Sequence, residues 1–222
     1  MPDPNDPKAA VERFTPPDWV ELSVELLRRL AGRLNDGTLA AMRYLLGARE
    51  HAAMVDVLME QLARDGVGLD DHEGRLLDRM IFQPNELREQ IPKIAATASP
   101  WYRFVPDLGP QTDPYNVDHV LRWAACDPEH RARTLYQARR LPIGPESPVS
   151  QGRIYVLEVV EGADVSTIQS SVQYTPGAVS VEVVAEGERL PPYQAAARTA
   201  GVAIWIGKGK AIFPALDGSD HR

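Results

Sequence analysis

The chain is poor in cysteine, lysine and aromatic residues, and each shortage narrows what it can be. Cys126 is the only cysteine among 222 residues, so no intramolecular disulfide can form. Lysine occurs only at Lys8, Lys93, Lys208 and Lys210, and arginine supplies the rest of the 24 basic residues. Together with many alanines, that bias points to a GC-rich genome and carries no functional information. No apolar run is long enough to span a bilayer, so no membrane partner is expected. The first residues are acidic and proline-rich, without a basic region followed by an apolar core. A secretory signal is therefore not expected, and the expected compartment is the cytoplasm.

Motifs are also missing. No G-x-G-x-x-G follows the first βα strand, and no Walker A lysine, G-x-S-x-G elbow or H-E-x-x-H is present. The sequence thus assigns no catalytic residue, no cofactor and no metal. A formal charge of −7 disfavours nonspecific nucleic-acid binding and docking on anionic lipid.

The clearest positive signal runs from 153 to 207. Ile154, Tyr155, Val156, Leu157, Val159 and Val160 form a run apolar on both faces, as a strand buried on two sides does. Asp164 is placed to cap a helix carrying Val165, Ile168 and Val172. Residues 178–185 alternate, with Val179, Val181 and Val183 on one face. Ser180 and Glu182 fall on the other, which suits a strand near an edge with one face partly wet. Pro191 and Pro192 start an alanine-rich helix ended by Gly201, and Val202 to Ile206 is a short apolar strand in which Trp205 should be structural. Strands alternating with helices imply parallel pairing, with the first strand central.

The first part of the chain is helical. Thr15 and two prolines start a helix bearing Trp19, Leu22, Leu26, Leu30 and Leu34, with Val20, Val24 and Leu27 widening its apolar face. Thr38 should cap a second helix, 49–64 forms a third, and Asp70 or Asp71 starts a fourth. Residues 101–105 read as a short strand joining the later sheet. Two helices are predicted next, at 115–125 and from the Asp127-Pro128 cap to about 140. The whole reads as a mixed α+β and α/β chain, with an N-terminal helical bundle and a three-layer βαβαβ unit whose short sheet is mostly parallel. The expected division is 1–14 disordered, 15–96 helical, 97–216 α/β and 217–222 a tail.

Four constellations could carry function. In open parallel sheets ligands bind beyond the carboxyl ends of the strands. Here those ends are the loops 161–164, 186–188 and 207–210, and Asp164, Glu188, Lys208 and Lys210 are the ligand candidates for a phosphate or carboxylate. Solvated turns are the plainer account. His119, Cys126 and His130 match no zinc spacing. His119 with Cys126 could in principle form a nucleophilic pair, but Cys126 fits better as a small buried hydrophobe. Arg122, Arg131, Arg133, Arg139 and Arg140 surround Trp123 and Tyr136, which suits single-stranded nucleic acid. A helix face paired to acids explains them more simply. The Trp19 helix could offer a partner groove, although packing inside its own bundle is the default.

The expectation is a non-enzymatic protein–protein interaction module, with an inhibitor or immunity-type protein of a bacterial system as one concrete form. Its partner would be another protein, and a basic one would suit the acidic charge. The alternative is a small-ligand binder or enzyme using the strand-end loops.

Overall fold

The computed structural model describes residues 19–81, 86–95, 101–107, 109, 117–144, 151–173 and 180–207, the side chains of 117–120 excepted. The Thr15 cap, the 1–14 and 217–222 tails, Lys208 and Lys210 lie outside these residues. The described residues form eight α-helices and a mixed five-stranded sheet, an α+β arrangement. No helix among them is long and apolar enough to cross a membrane.

Four helices come first: α1 (Trp19–Leu30), α2 (Asp36–Gly47), α3 (His51–Asp65) and α4 (Asp71–Met80). Their ends follow local chemistry. Asn35, not Thr38, caps α2, its side chain accepting from the Gly37 N–H. Gly66 closes α3 in the left-handed region at φ 63°, where a glycine carries no Cβ penalty. Asp70 and Glu73 form a reciprocal capping box at the start of α4. A short α5 (Glu86–Gln90) follows. Trp19, Leu26, Leu27, Leu30, Met54, Leu58 and Leu77 share a core from which water is excluded.

The rest alternates. It comprises β1 (Tyr102–Pro106), α6 (Val117–Cys126), a 3-10 turn at Pro128–His130, β2 (Ala132–Pro142), β3 (Gly152–Val159), α7 (Val165–Gln173), β4 (Val181–Ala185), α8 (Pro192–Ala200) and β5 (Val202–Ile206). β3 and β4 pair in parallel, whereas the other three pairings among the described strands are antiparallel, which corrects the mostly parallel sheet expected. β5 does not lie beside β3. It pairs antiparallel with the first half of β2, and β1 pairs with the second half along the same edge. β1, β3, β4 and β5 therefore point one way and β2 runs against them.

β2 corrects the helix predicted as far as residue 140. It is hydrogen-bonded on both edges, and its buried side chains include Leu135, Gln137, Ala138 and Arg140. Polar residues at buried strand positions hide the alternation. They are tolerated because partners far along the chain receive them: Arg140 donates to both carboxylate oxygens of Asp36, at 2.9 and 2.6 Å. Tertiary contacts overrode the local pattern.

One sheet face carries Ile154, Val156 and Val184 into the same core as α1–α4 and α8. The other carries Leu135, Tyr155, Leu157, Val181, Val183 and Trp205 against α6 and α7. Trp205 is thus covered, 7% exposed. One hydrophobic cluster draws on both the 15–96 and the 97–216 segments.

β4 is an edge strand with no wet face, which corrects the expectation for its second side: Glu182 is 1% exposed and Ser180 5%. Its free edge is also closed. Arg43 of α2 and Gln169 of α7 donate to the Val181 carbonyl at 3.0 and 2.8 Å. Gln169 also accepts from the Val183 N–H at 2.7 Å, and Arg28 of α1 donates to the Val183 carbonyl at 2.8 Å. Three helices thus supply by side chain the bonds a further strand would have made. α2 reaches this edge because Gly47 has no side chain; a Cβ there would overlap Ser170 of α7.

Candidate functional site

The closed edge of β4 ends at an open cleft of about 940 Å³. The outer side of α1 forms one wall, and the turns leading from β3 into α7 and from β4 into α8 form the other. Both of those turns follow the carboxyl ends of parallel strands, where open sheets present ligand sites. Val20, Val24, Ala163, Val165, Leu190 and Pro191 give the cleft apolar surface. Arg28, Arg29, Arg189, Glu21, Glu25, Asp164 and Glu188 give it charge of both signs.

Most of these charges are already engaged in structure. Asp164 caps α7, accepting from the Thr167 N–H at 3.1 Å and from the Ser166 and Thr167 hydroxyls at 2.8 Å each. Partial burial pushes its carboxyl up, but these hydrogen bonds outweigh it and hold the group below its ordinary value. Glu188 pairs with Arg28 and accepts from the Ala185 N–H at 3.1 Å, closing the tight turn after β4. Glu25 lies between His72, at 2.8 Å, and Arg29, at 3.1 Å. The His72 hydrogen bond, with Arg29, holds the Glu25 carboxyl below its ordinary value against the opposing effect of burial.

Arg189 differs. It is exposed, and it has no ion-pair or hydrogen-bond partner among the described residues. Glu21, across the cleft on α1, is also exposed and also lacks a partner among them.

The structure brings together two of the three strand-end loops, and with them Asp164 and Glu188. Gly207, the described residue of the third loop, is set apart because β2 stands between β3 and β5. Two strand spacings, about 10 Å, separate the ends of β3 and β5. Gly207 donates instead to the Arg133 carbonyl at 2.7 Å, on the far side of β2. Arg28, Arg29 and Arg189 were not legible as site residues. A signal existed in Val20 and Val24, which gave α1 an apolar face wider than one core uses. Val20 remains 36% exposed in the cleft.

The other candidates resolve as follows. Cys126 is exposed, contrary to the buried position expected, because Leu121, Ala124 and Ala125 take the inward side of α6. The His119 side chain lies outside the described residues. His130 is buried, with Nδ1 2.7 Å from the Ala124 carbonyl and Nε2 3.2 Å from Ser171 Oγ. The carbonyl requires Nδ1 to donate, and the hydrogen bond between Nε2 and Ser171 ties α7 to the end of α6. Among the described residues no group of three or more His, Cys, Asp or Glu could hold a metal. The arginines of β2 are held by carboxylates: Arg133 by Glu186 at 3.4 Å, Arg139 by Asp107 at 3.0 Å and Arg140 by Asp36 at 2.6 Å. They therefore lie on a strand and not on the helix face expected.

No protein-family profile matches the chain, and no curated protein or solved structure matches it significantly.

Proposed function

We propose that the protein acts by binding another protein, and that the cleft between α1 and the β3 and β4 exit turns is its contact surface. The observation that carries this reading is the division of charge in the cleft. The carboxylates at the strand ends, Asp164 and Glu188, are spent on capping a helix and closing a turn. Apolar surface and two charges without a partner among the described residues, Arg189 and Glu21, are left facing solvent, a composition suited to recognition. An inhibitor or immunity-type protein of a bacterial system is one form such a binder takes.

A second reading has its own support. Three arginines line a cleft at the carboxyl ends of parallel strands. That setting suits a small carboxylate or phosphate compound, with Arg189 as the first contact.

Affinity capture with the parent and with Val20→Arg tests the first reading. Val20 lines the cleft and is 36% exposed, so the substitution obstructs the cleft without opening the core. The expected result is a protein retained by the parent and lost with the variant. Identical sets retained by both would contradict it. A thermal-shift series with inorganic phosphate, nucleotides and citrate addresses the second reading: a rise in the parent midpoint that Arg189→Ala abolishes would favour it over the first.

A further inference from the structure

We infer that the cleft reads a linear segment of its partner in which an apolar side chain is accompanied by an acidic one, and that Arg189 is the residue that selects the acid. The inference rests on the protein-binding reading given above and adds the chemistry of the segment bound.

The charge balance of the cleft leads to it. Arg28 is 7% exposed and already serves Glu188 and the Val183 carbonyl, so it is an internal strut of the β4 edge. Arg29 is satisfied by Glu25. Arg189 has no partner among the described residues and stands on the loop wall next to the apolar surface of Leu190 and Pro191. A guanidinium in this position offers a planar fork for a carboxylate. The neighbouring apolar surface would remain partly wet until a side chain covered it. A segment placing a leucine-sized residue on Leu190 and Val20, with a carboxylate beside it, satisfies both features at once. Glu21 on the opposite wall adds a constraint, since it would repel a second acid directed at α1.

Preorganisation supports the assignment. Leu190 is followed by Pro191 and Pro192, and Pro192 occupies the first turn of α8. Pro191 restricts the backbone of Leu190, the residue next to Arg189, before any partner arrives, which lowers the entropy lost on binding. On the other side, the Glu188 carboxylate holds the preceding turn to Ala185.

The test uses a displayed library of random linear peptides, selected on the folded parent and counter-selected on Val20→Arg. Cleft-dependent clones should pair an apolar residue with Asp or Glu at a fixed spacing. The same library selected on Arg189→Glu should shift that position to Lys or Arg. A peptide chosen on the parent should bind Arg189→Glu about fivefold to tenfold more weakly, the scale of one rim charge. Because Arg189 is exposed and without a partner among the described residues, its variants should keep the parent's melting midpoint, so a loss of binding is not a loss of fold. Cleft-dependent clones with no charge preference, or with a preference unchanged by Arg189→Glu, would overturn the role of Arg189 and leave the binding surface standing. Failure to obtain any clone sensitive to Val20→Arg would overturn the surface and the inference together.

Discussion

Arg43 and Arg189 flank the same strand and have opposite fates. Arg43 reaches β4 from α2, is 4% exposed, and divides its guanidinium between the Val181 carbonyl and the Glu182 carboxylate. Arg189 follows β4 in the turn toward α8, exposed and without a partner among the described residues. In the first region Arg43 and Glu182 are paired and buried, so the side chains act as architecture and join the helices to the sheet. In the second a charge is left available beside apolar surface. The contrast separates residues that hold the molecule together from those free to meet something else.

The largest expected effect lies on the architectural side. Arg43→Ala should destabilise by about 3–5 kcal/mol, because it strands Glu182 as an uncompensated buried charge. Adding Glu182→Gln should recover a substantial part of the loss. A denaturant midpoint that does not respond to Arg43→Ala would show that the β4 edge is not sealed as described. Gln169→Ala should cost about 1–3 kcal/mol, since the Val183 N–H then has no acceptor at a buried edge. Hydrogen exchange at that amide should accelerate in the variant more than at amides in the middle of β3.

Asp107 sharpens the comparison through pH. Its carboxylate accepts from Arg153 at 2.7 Å and Arg139 at 3.0 Å, and from the Gly109 N–H at 3.1 Å. Burial raises its pKa, but the two arginines and the backbone donor outweigh burial and hold it below the ordinary value. A depressed folded-state pKa contributes stability above the unfolded-state value, about 4, and loses it as pH falls through the folded-state value. Asp107→Asn should therefore be less stable than the parent at neutral pH, with the gap closing in acid. A gap constant from pH 7 to pH 2 would exclude this linkage.

How much of this could be read from the sequence depended on the range of the interactions. The Asp164 cap and the leucine spacing of α1 are local and were legible, and the start of α4 was legible as Asp70 or Asp71, though not the capping box that Asp70 forms with Glu73. β2 was not, because nothing near Arg140 announces that Asp36, 104 positions away, will receive it. The same blindness misplaced β5, since the sheet order depends on where β2 inserts. The cleft was half legible. Asp164 and Glu188 followed from the rule for parallel strands. Arg28 and Arg29 joined them only when α1 packed beside turns more than 130 residues later, a separation reaching 160 for the Arg28–Glu188 bond. Separation into 15–96 and 97–216 remains a proposal about folding units. A proteolytic fragment of the first segment that refolds alone would support it, whereas a single cooperative transition seen by every probe would favour one unit built on the shared cluster.

The smallest expected effect on stability belongs to Arg189, and it provides the most direct test. Arg43→Ala and Arg189→Glu should be prepared together and assayed for denaturant midpoint and for binding to a peptide selected on the parent cleft. The account predicts that Arg189→Glu stays within about 0.5 kcal/mol of the parent in stability, as an exposed substitution does, while losing most of its peptide binding. Arg43→Ala should instead lose several kcal/mol and, wherever it remains folded, bind the peptide as the parent does. An Arg189→Glu protein as destabilised as Arg43→Ala, or one that binds the peptide undiminished, would contradict the division between structural and recognition arginines.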